Sequence, residues 1–183
     1  DGWLKDCPYE SFQTIGSREL FDALNSQAVS FLKSFNDDVA SKLFPIAFSP
    51  WGMIFRGEQD LLSRASETWE VLLSPELRGK VILPSSPRIV MDLAQRMSRI
   101  DSLLQLRIQA RSFDDKNSLN WLRSGKAKVA VLPLQLCLKA LASDIRLSVV
   151  LPKDGSPLNW TVLLRPSSTT EPFPSRWIQE TRR

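Results

Sequence analysis

From Lys80 onward the sequence alternates in a way that leaves few folds open. Three apolar runs, "KVILP" (80–84), "AKVAVLP" (127–133) and "IRLSVVLP" (145–152), are too short for buried helices. Segments with helical spacing separate them: "PRIVMDLAQRM", "KNSLNWLRSG" and "LQLCLKALA". Short apolar runs of this kind read as buried strands. The β-α-β rhythm therefore predicts an open α/β sheet with right-handed crossovers. Within it, "LLQLRIQARSF" fits a helix and a strand equally well. After the turn "KDG" a last strand, "PLNWTVLL", is expected, and then a Pro- and Ser/Thr-rich tail with one short terminal helix.

The N-terminal half is less regular. "DGWLKDC" reads as a helical turn stopped by Pro8. From Ser17 to Phe35 the pattern is helical, with Leu20, Phe21, Leu24, Val29, Phe31 and Leu32 on one face. Ser17 before "REL" has the form of an N-cap. "FPIAFSPWGMIFR" (44–56) is expected to be a buried strand with an irregular middle. Short helical pieces follow at "EQDLLSRA" and "SETWEVLLSPELRG", with Gly79 as the C-cap of the second.

Chemistry is bounded mainly by what is absent. The sequence contains no histidine, which excludes Ser-His-Asp and Cys-His catalysis and imidazole metal sites. The fragment "LRGKVIL" lacks the upstream glycine of a phosphate loop and the Ser/Thr after its lysine. Asp37-Asp38 and Asp114-Asp115 are the adjacent acid pairs; neighbouring residues seldom converge on one substrate atom, and Asp115 reads as the cap of a helix starting at Lys116. No catalytic residue, metal or cofactor is expected. At 183 residues the chain can bury about 70% of its unfolded surface without a disulfide framework. The two cysteines, Cys7 and Cys137, allow one disulfide, although the helical apolar spacing around Cys137 favours a buried thiol. The net charge of +4 comes without a basic, aromatic-interleaved stripe, so nucleic acid is not an expected partner. No apolar run reaches the roughly 20 residues of a membrane helix, and no insertion is expected.

Two places carry candidate function. Ligands of open α/β sheets collect at the carboxyl ends of strands, where helix N-termini point. Pro84-Ser85-Ser86-Pro87 is such a corner: Ser86 can cap, Pro87 suits the first helical position, and Arg88 follows. An ordinary capped helix has the same spacing. The second is Trp51 beside Gly52, with Trp160 in a distant strand; these rings suit core packing as well as a ligand wall.

Taken together, "SPWGMIFRGEQ", "ETWEVLLSPELRGKVILPSSPR", "SFDDKNSLNWLRSGKAKVAVLP" and "VVLPKDGSPLNWTVLLRP" resemble, in order and spacing, the extracellular solute-binding proteins of ABC transporters. The similarity is to their spermidine/putrescine-binding branch and runs from Asp1 to about Pro166. It implies an α/β, type II periplasmic-binding-protein-like two-lobed fold that closes on a ligand by hinge motion. The implied division is residues 1–56 as a partial first lobe with a crossing strand, 57–148 as the second lobe, and 149–183 as the return strand and first-lobe segment. Proteins of this pattern carry a further segment before the point matching "DGWL". One lobe complete and part of the other is therefore expected, with exposed apolar surface and unpaired strand edges. The implied partners are a small-molecule solute and transporter membrane subunits, and the implied location is periplasmic or extracellular.

Carried over by position, the ligand residues implied are Trp51, Gly52, Met53, Ser85, Ser86, Arg88, Leu132, Trp160 and Val162, with Trp3 near a further aromatic position. The polyamine branch uses aromatic rings and carboxylates to hold ammonium groups. Trp160 matches, but Val162, Ser85 and Ile89 stand where that branch has acids, and Leu132 where it has an aromatic. Burying a diammonium ligand without counter-charges costs several kcal/mol per amine. Weak or absent spermidine binding is expected, and the corner suits a hydrogen-bond acceptor or anion better. The alternative is a scaffold that has lost its ligand and acts through protein contacts.

Overall fold

The computed structural model describes residues 9–181, so Trp3 and Cys7, and the opening turn expected before Pro8, lie outside the described residues. The chain divides into two compact units, the first comprising residues 1–48 and 160–183 and the second residues 49–159.

In the second unit, β1 (Phe44–Arg56) enters from the first unit and is followed by α4 (Gln59–Glu67), β2 (Val81–Leu83), α5 (Pro87–Gln95), α6 (Ser102–Gln109), β3 (Ala110–Phe113), α7 (Ser118–Arg123), β4 (Val129–Pro133), α8 (Leu134–Ser143) and β5 (Leu147–Val150). The strand order is β3-β2-β4-β1-β5. β2 lies parallel to β3 and β4, as the crossovers through α5–α6 and α7 dictate. β1 runs antiparallel to both β4 and β5, so the sheet is mixed rather than all-parallel. The ambiguous stretch resolves into both patterns: α6 occupies its first part and β3 its second.

Alternation along the strands builds two cores. Met53 and Phe55, Val81 and Leu83, and Val129 and Val131 face one side, where Leu61 of α4, Val90 and Leu93 of α5, and Leu106 of α6 cover them. Ile54, Ile82, Ala130 and Leu132 face the other, under Leu122 of α7 and Cys137 and Ala140 of α8. A fully buried large aliphatic or aromatic side chain contributes roughly 1.5–3 kcal/mol, so this two-faced sheet is the main source of the unit's stability. Between α4 and β2 the expected helix is two 3-10 turns, Trp69–Leu73 and Pro75–Leu77. Pro75 has no N–H to continue the first, and Gly79 ends the second at φ +68°. The Trp69 indole N–H donates to the Gly155 carbonyl at 2.8 Å, tying the turn after β5 to this core.

The first unit holds α1 (Arg18–Asp22), α2 (Ser26–Leu32), α3 (Asp37–Lys42), the start of β1, the end of β6 (Leu158–Leu163) and α9 (Ser175–Thr181). β6 pairs with β1. Ile15, Leu20, Phe44 and Ile178 make a small core. The single helix expected over 17–35 is broken, because the Asn25 side chain accepts the Ala28 N–H at 2.9 Å and starts a new helix. Ser17 occupies the N-cap position of α1, but its side chain makes no capping hydrogen bond.

Candidate functional site

The parallel strands β2, β3 and β4 all end on one edge of the second unit, and β1 enters at that edge, Trp51 standing opposite Pro133. Neighbouring strands are about 4.8 Å apart, so the loops after Leu83 and Phe113 are adjacent. The Asp114 N–H donates to the Leu83 carbonyl at 3.0 Å and fastens them together.

The two adjacent acids then take different roles. Asp114 holds the turn into α7: its Oδ1 accepts the N–H groups of Lys116 at 2.8 Å and Asn117 at 3.0 Å, and its carbonyl accepts the Ser118 hydroxyl. The Asn117 backbone N–H, then its side-chain amide, keep the Asp114 carboxyl below the usual carboxylate range. Asp115 reaches the opposite way. Its Oδ1 accepts the Ser85 N–H at 3.1 Å and its Oδ2 accepts the Ser85 hydroxyl. This corrects the expectation that Asp115 caps a helix from Lys116: α7 begins at Ser118 with Asn117 at its N-cap, Asp114 holds the turn before it, and Asp115 supplies a carboxylate to the corner after β2.

Ser86 stands at the N-cap position of α5 without a side-chain cap bond, Pro87 follows it, and Arg88 is exposed with no ion pair among the described residues. Trp51 is 6% exposed, its ring belongs to the first core, and its indole N–H is buried without a partner among the described residues. Met53 and Leu132 are fully enclosed on opposite faces of the sheet. At Gly52 a Cβ would lie 3.3 Å from Leu151 Cδ2 and 3.4 Å from the Val150 carbonyl, so close approach of β5 asks for glycine there.

Trp160 and Val162 belong to the first unit and are half-buried on β6. Trp160 stacks on Phe31 with centroids 4.5 Å apart and 18° between planes, and Phe48 lies at 5.0 Å on a tilt. Phe31 also meets Phe35 edge-on at 5.2 Å, so the aromatic cluster has four rings. Sequence spacing places Phe31 on a helix face and does not mark it as a neighbour of Trp160.

A groove of about 410 Å³ elsewhere on the second unit is lined by Arg64, Glu67, Glu70, Ser74 and Arg99 among others, and by none of the expected site residues. Arg64 donates to the Ser74 hydroxyl at 2.9 Å, and Glu67 pairs with Lys153 at 2.7 Å. Among the described residues no group of three His, Cys, Asp or Glu side chains gathers as a metal ion would need, and no helix is long and apolar enough to cross a membrane. Cys137 is a buried free thiol in the second core.

No family model matches the sequence, and no curated protein matches it significantly. Solved structures match the fold well. A spermidine/putrescine ABC transporter substrate-binding protein from Streptococcus pneumoniae superposes with a TM-score of 0.63 at 14% identity, covering 92% of this chain and 55% of that one. An ABC transporter protein from Clostridium perfringens gives 0.66 at 16% identity, covering 88% and 54%. A ferric binding protein from Campylobacter jejuni gives 0.60 at 14%, covering 87% and 55%. The chain thus spans a little over half the length of the solved chains it matches. Its fold is the α/β fold of the periplasmic binding proteins, one lobe with part of another, and proteins sharing it bind ligands as different as polyamines and ferric ion.

Proposed function

We propose that the chain is the substrate-binding component of an ABC-type transporter, acting outside the cytoplasm, with a ligand preference shifted away from polyamines. The fold supports solute binding, and such proteins deliver solutes to transporter membrane subunits. The observation that carries the reading of preference is Asp115 hydrogen-bonded to Ser85 at the strand-end corner. The corner holds one carboxylate rather than none, and the Ser85 N–H is already taken. A free anion would meet Asp115 in competition for the same donors, which argues against the anion preference expected from sequence. A solute with a single ammonium or hydroxyl group gains a charge-assisted hydrogen bond to Asp115, with Ser86 and Arg88 beside it. A diammonium ligand finds only one counter-charge there. β1 and β6 carry the chain between the two units and are the segments about which closure would occur.

Titration calorimetry and thermal shift of the chain against monoamines, amino alcohols, amino acids, oxyanions and spermidine test this. The expected result is binding of singly charged donors that Asp115→Asn weakens at least about tenfold, with little response to spermidine. A panel in which nothing binds below millimolar ends the proposal.

A second reading, a scaffold that keeps the fold without a ligand, is favoured by one observation: Asp115 already satisfies Ser85 internally. Under it, Asp115→Asn changes stability and no titration shows heat.

A further inference from the structure

Helix α6 breaks the usual rule for a surface helix. Its inner face is ordinary, with Ser102, Leu106 and Gln109 buried at 2%, 0% and 5% exposure. Its outer face carries the larger apolar side chains. Leu103, Leu104 and Ile108 are 48%, 58% and 44% exposed, and Ile100 in the turn leading into the helix is 107% exposed. These four fall at i, i+3, i+4 and i+8, a single stripe along the helix. On α5, which packs against α6, Met91 is 51% exposed. An apolar stripe of this kind ordinarily faces a core, and this one lies at a surface.

The charge around the stripe says what covers it. From Arg96 to Arg111 there are four arginines and one aspartate, and Arg96 is paired with Asp92 at 2.9 Å. Arg107 sits within the stripe, exposed, with no ion pair among the described residues. Arg99 is held by Asp101 through two hydrogen bonds, and Arg111 lies over the Trp121 ring at 5.0 Å. Exposed aliphatic side chains flanked by long cationic ones are what a headgroup layer accepts. The apolar tips enter it by about 5–10 Å while the guanidinium groups stay at phosphate level.

We propose that the outer face of α6, from Ile100 to Ile108, attaches the second unit to an anionic lipid surface without crossing it. Insertion of the stripe supplies the apolar contact and Arg107 the selectivity for negative headgroups. The inference is independent of the strand-end site.

The test is sedimentation of the full chain with vesicles of phosphatidylcholine alone and with vesicles containing phosphatidylglycerol. The expected result is co-sedimentation with the phosphatidylglycerol vesicles only, weakened by added salt. Leu104→Glu should lower the affinity about tenfold or more with an unchanged melting temperature, since the side chain is exposed. Arg107→Gln should lower it about fivefold. No sedimentation of the parent chain with phosphatidylglycerol vesicles overturns the proposal, as does undiminished sedimentation of Leu104→Glu. A dimer that Leu104→Glu dissolves, without vesicle binding, also overturns it and assigns the face to a second copy.

Discussion

Asp115 accepts two hydrogen bonds from Ser85, one from the backbone N–H and one from the hydroxyl, across 30 positions of sequence. The contact joins the loop after β2 to the loop after β3 and puts a negative charge beside the start of α5. Both groups face solvent in part, so water competes for the bonds. A double-mutant cycle with Ser85→Ala and Asp115→Ala should give a coupling of about 0.5–1.5 kcal/mol in urea unfolding. A coupling indistinguishable from zero would remove Asp115 from the corner and with it the reason for a donor-bearing ligand.

Gly52 is a packing glycine, and Gly79 is a conformational one. A methyl group at Gly52 would press on Leu151 Cδ2 at 3.3 Å and reach only ordinary contact, 3.4 Å, with the Val150 carbonyl. Gly52→Ala should destabilise by about 1–2 kcal/mol. At Gly79 nothing lies within 4 Å, but φ is +68°, so Gly79→Ala should cost about 1–2 kcal/mol through backbone strain alone. The two separate on a second substitution: Leu151→Ala should relieve Gly52→Ala and leave Gly79→Ala unchanged in equilibrium unfolding.

Much of the second unit was legible because its strands obey a simple rule. β2 and β4 are apolar at every position, and only a sheet covered on both faces wants that. The same feature hid which face each side chain takes: Met53 and Leu132 sit in different cores, and the uniform apolarity around them carries no trace of it. The helix break at Asn25 lay in view as a capping residue, but the apolar spacing runs straight through it and reads as one continuous helix. Asp114 and Asp115 could not be told apart by position, since either can reach the first N–H groups of the next turn. The difference is made by Ser85, a partner that local sequence does not contain. The pairing of Phe31 with Trp160 is of the same kind.

Cys137 should behave as an inert core residue. Burial pushes its thiol up to about 12, because the thiolate would sit without solvation under β4 and α8. In a Cys7→Ser background, which leaves one thiol, alkylation at about pH 8 should follow global unfolding rather than local exposure. The rate should rise in step with urea-induced unfolding and not with thiolate formation near the ordinary value of about 8.5. Rapid labelling of the folded chain would mean that α8 opens independently of the sheet.

Acid should weaken the fold through its aspartates. Asp144 is held down to about 2 by Arg146, whose side chain bonds both carboxylate oxygens and whose N–H adds a third bond. Asp101 is lowered by Arg99, then by Gln105, and Asp114 by Asn117. In the unfolded chain these carboxyls return to the ordinary value of about 3.9. A carboxyl with a lower folded value stabilises the fold fully above its unfolded value, and that contribution vanishes as the folded form is protonated. Stability should therefore be level above about pH 5, fall as pH drops through about 4, and go on falling toward about 2. Thermal unfolding across that range should show a shallower fall for Asp144→Asn than for the parent, with the two curves converging at the acid end. Parallel curves would mean that the Asp144–Arg146 contact makes no difference between the folded and unfolded chains.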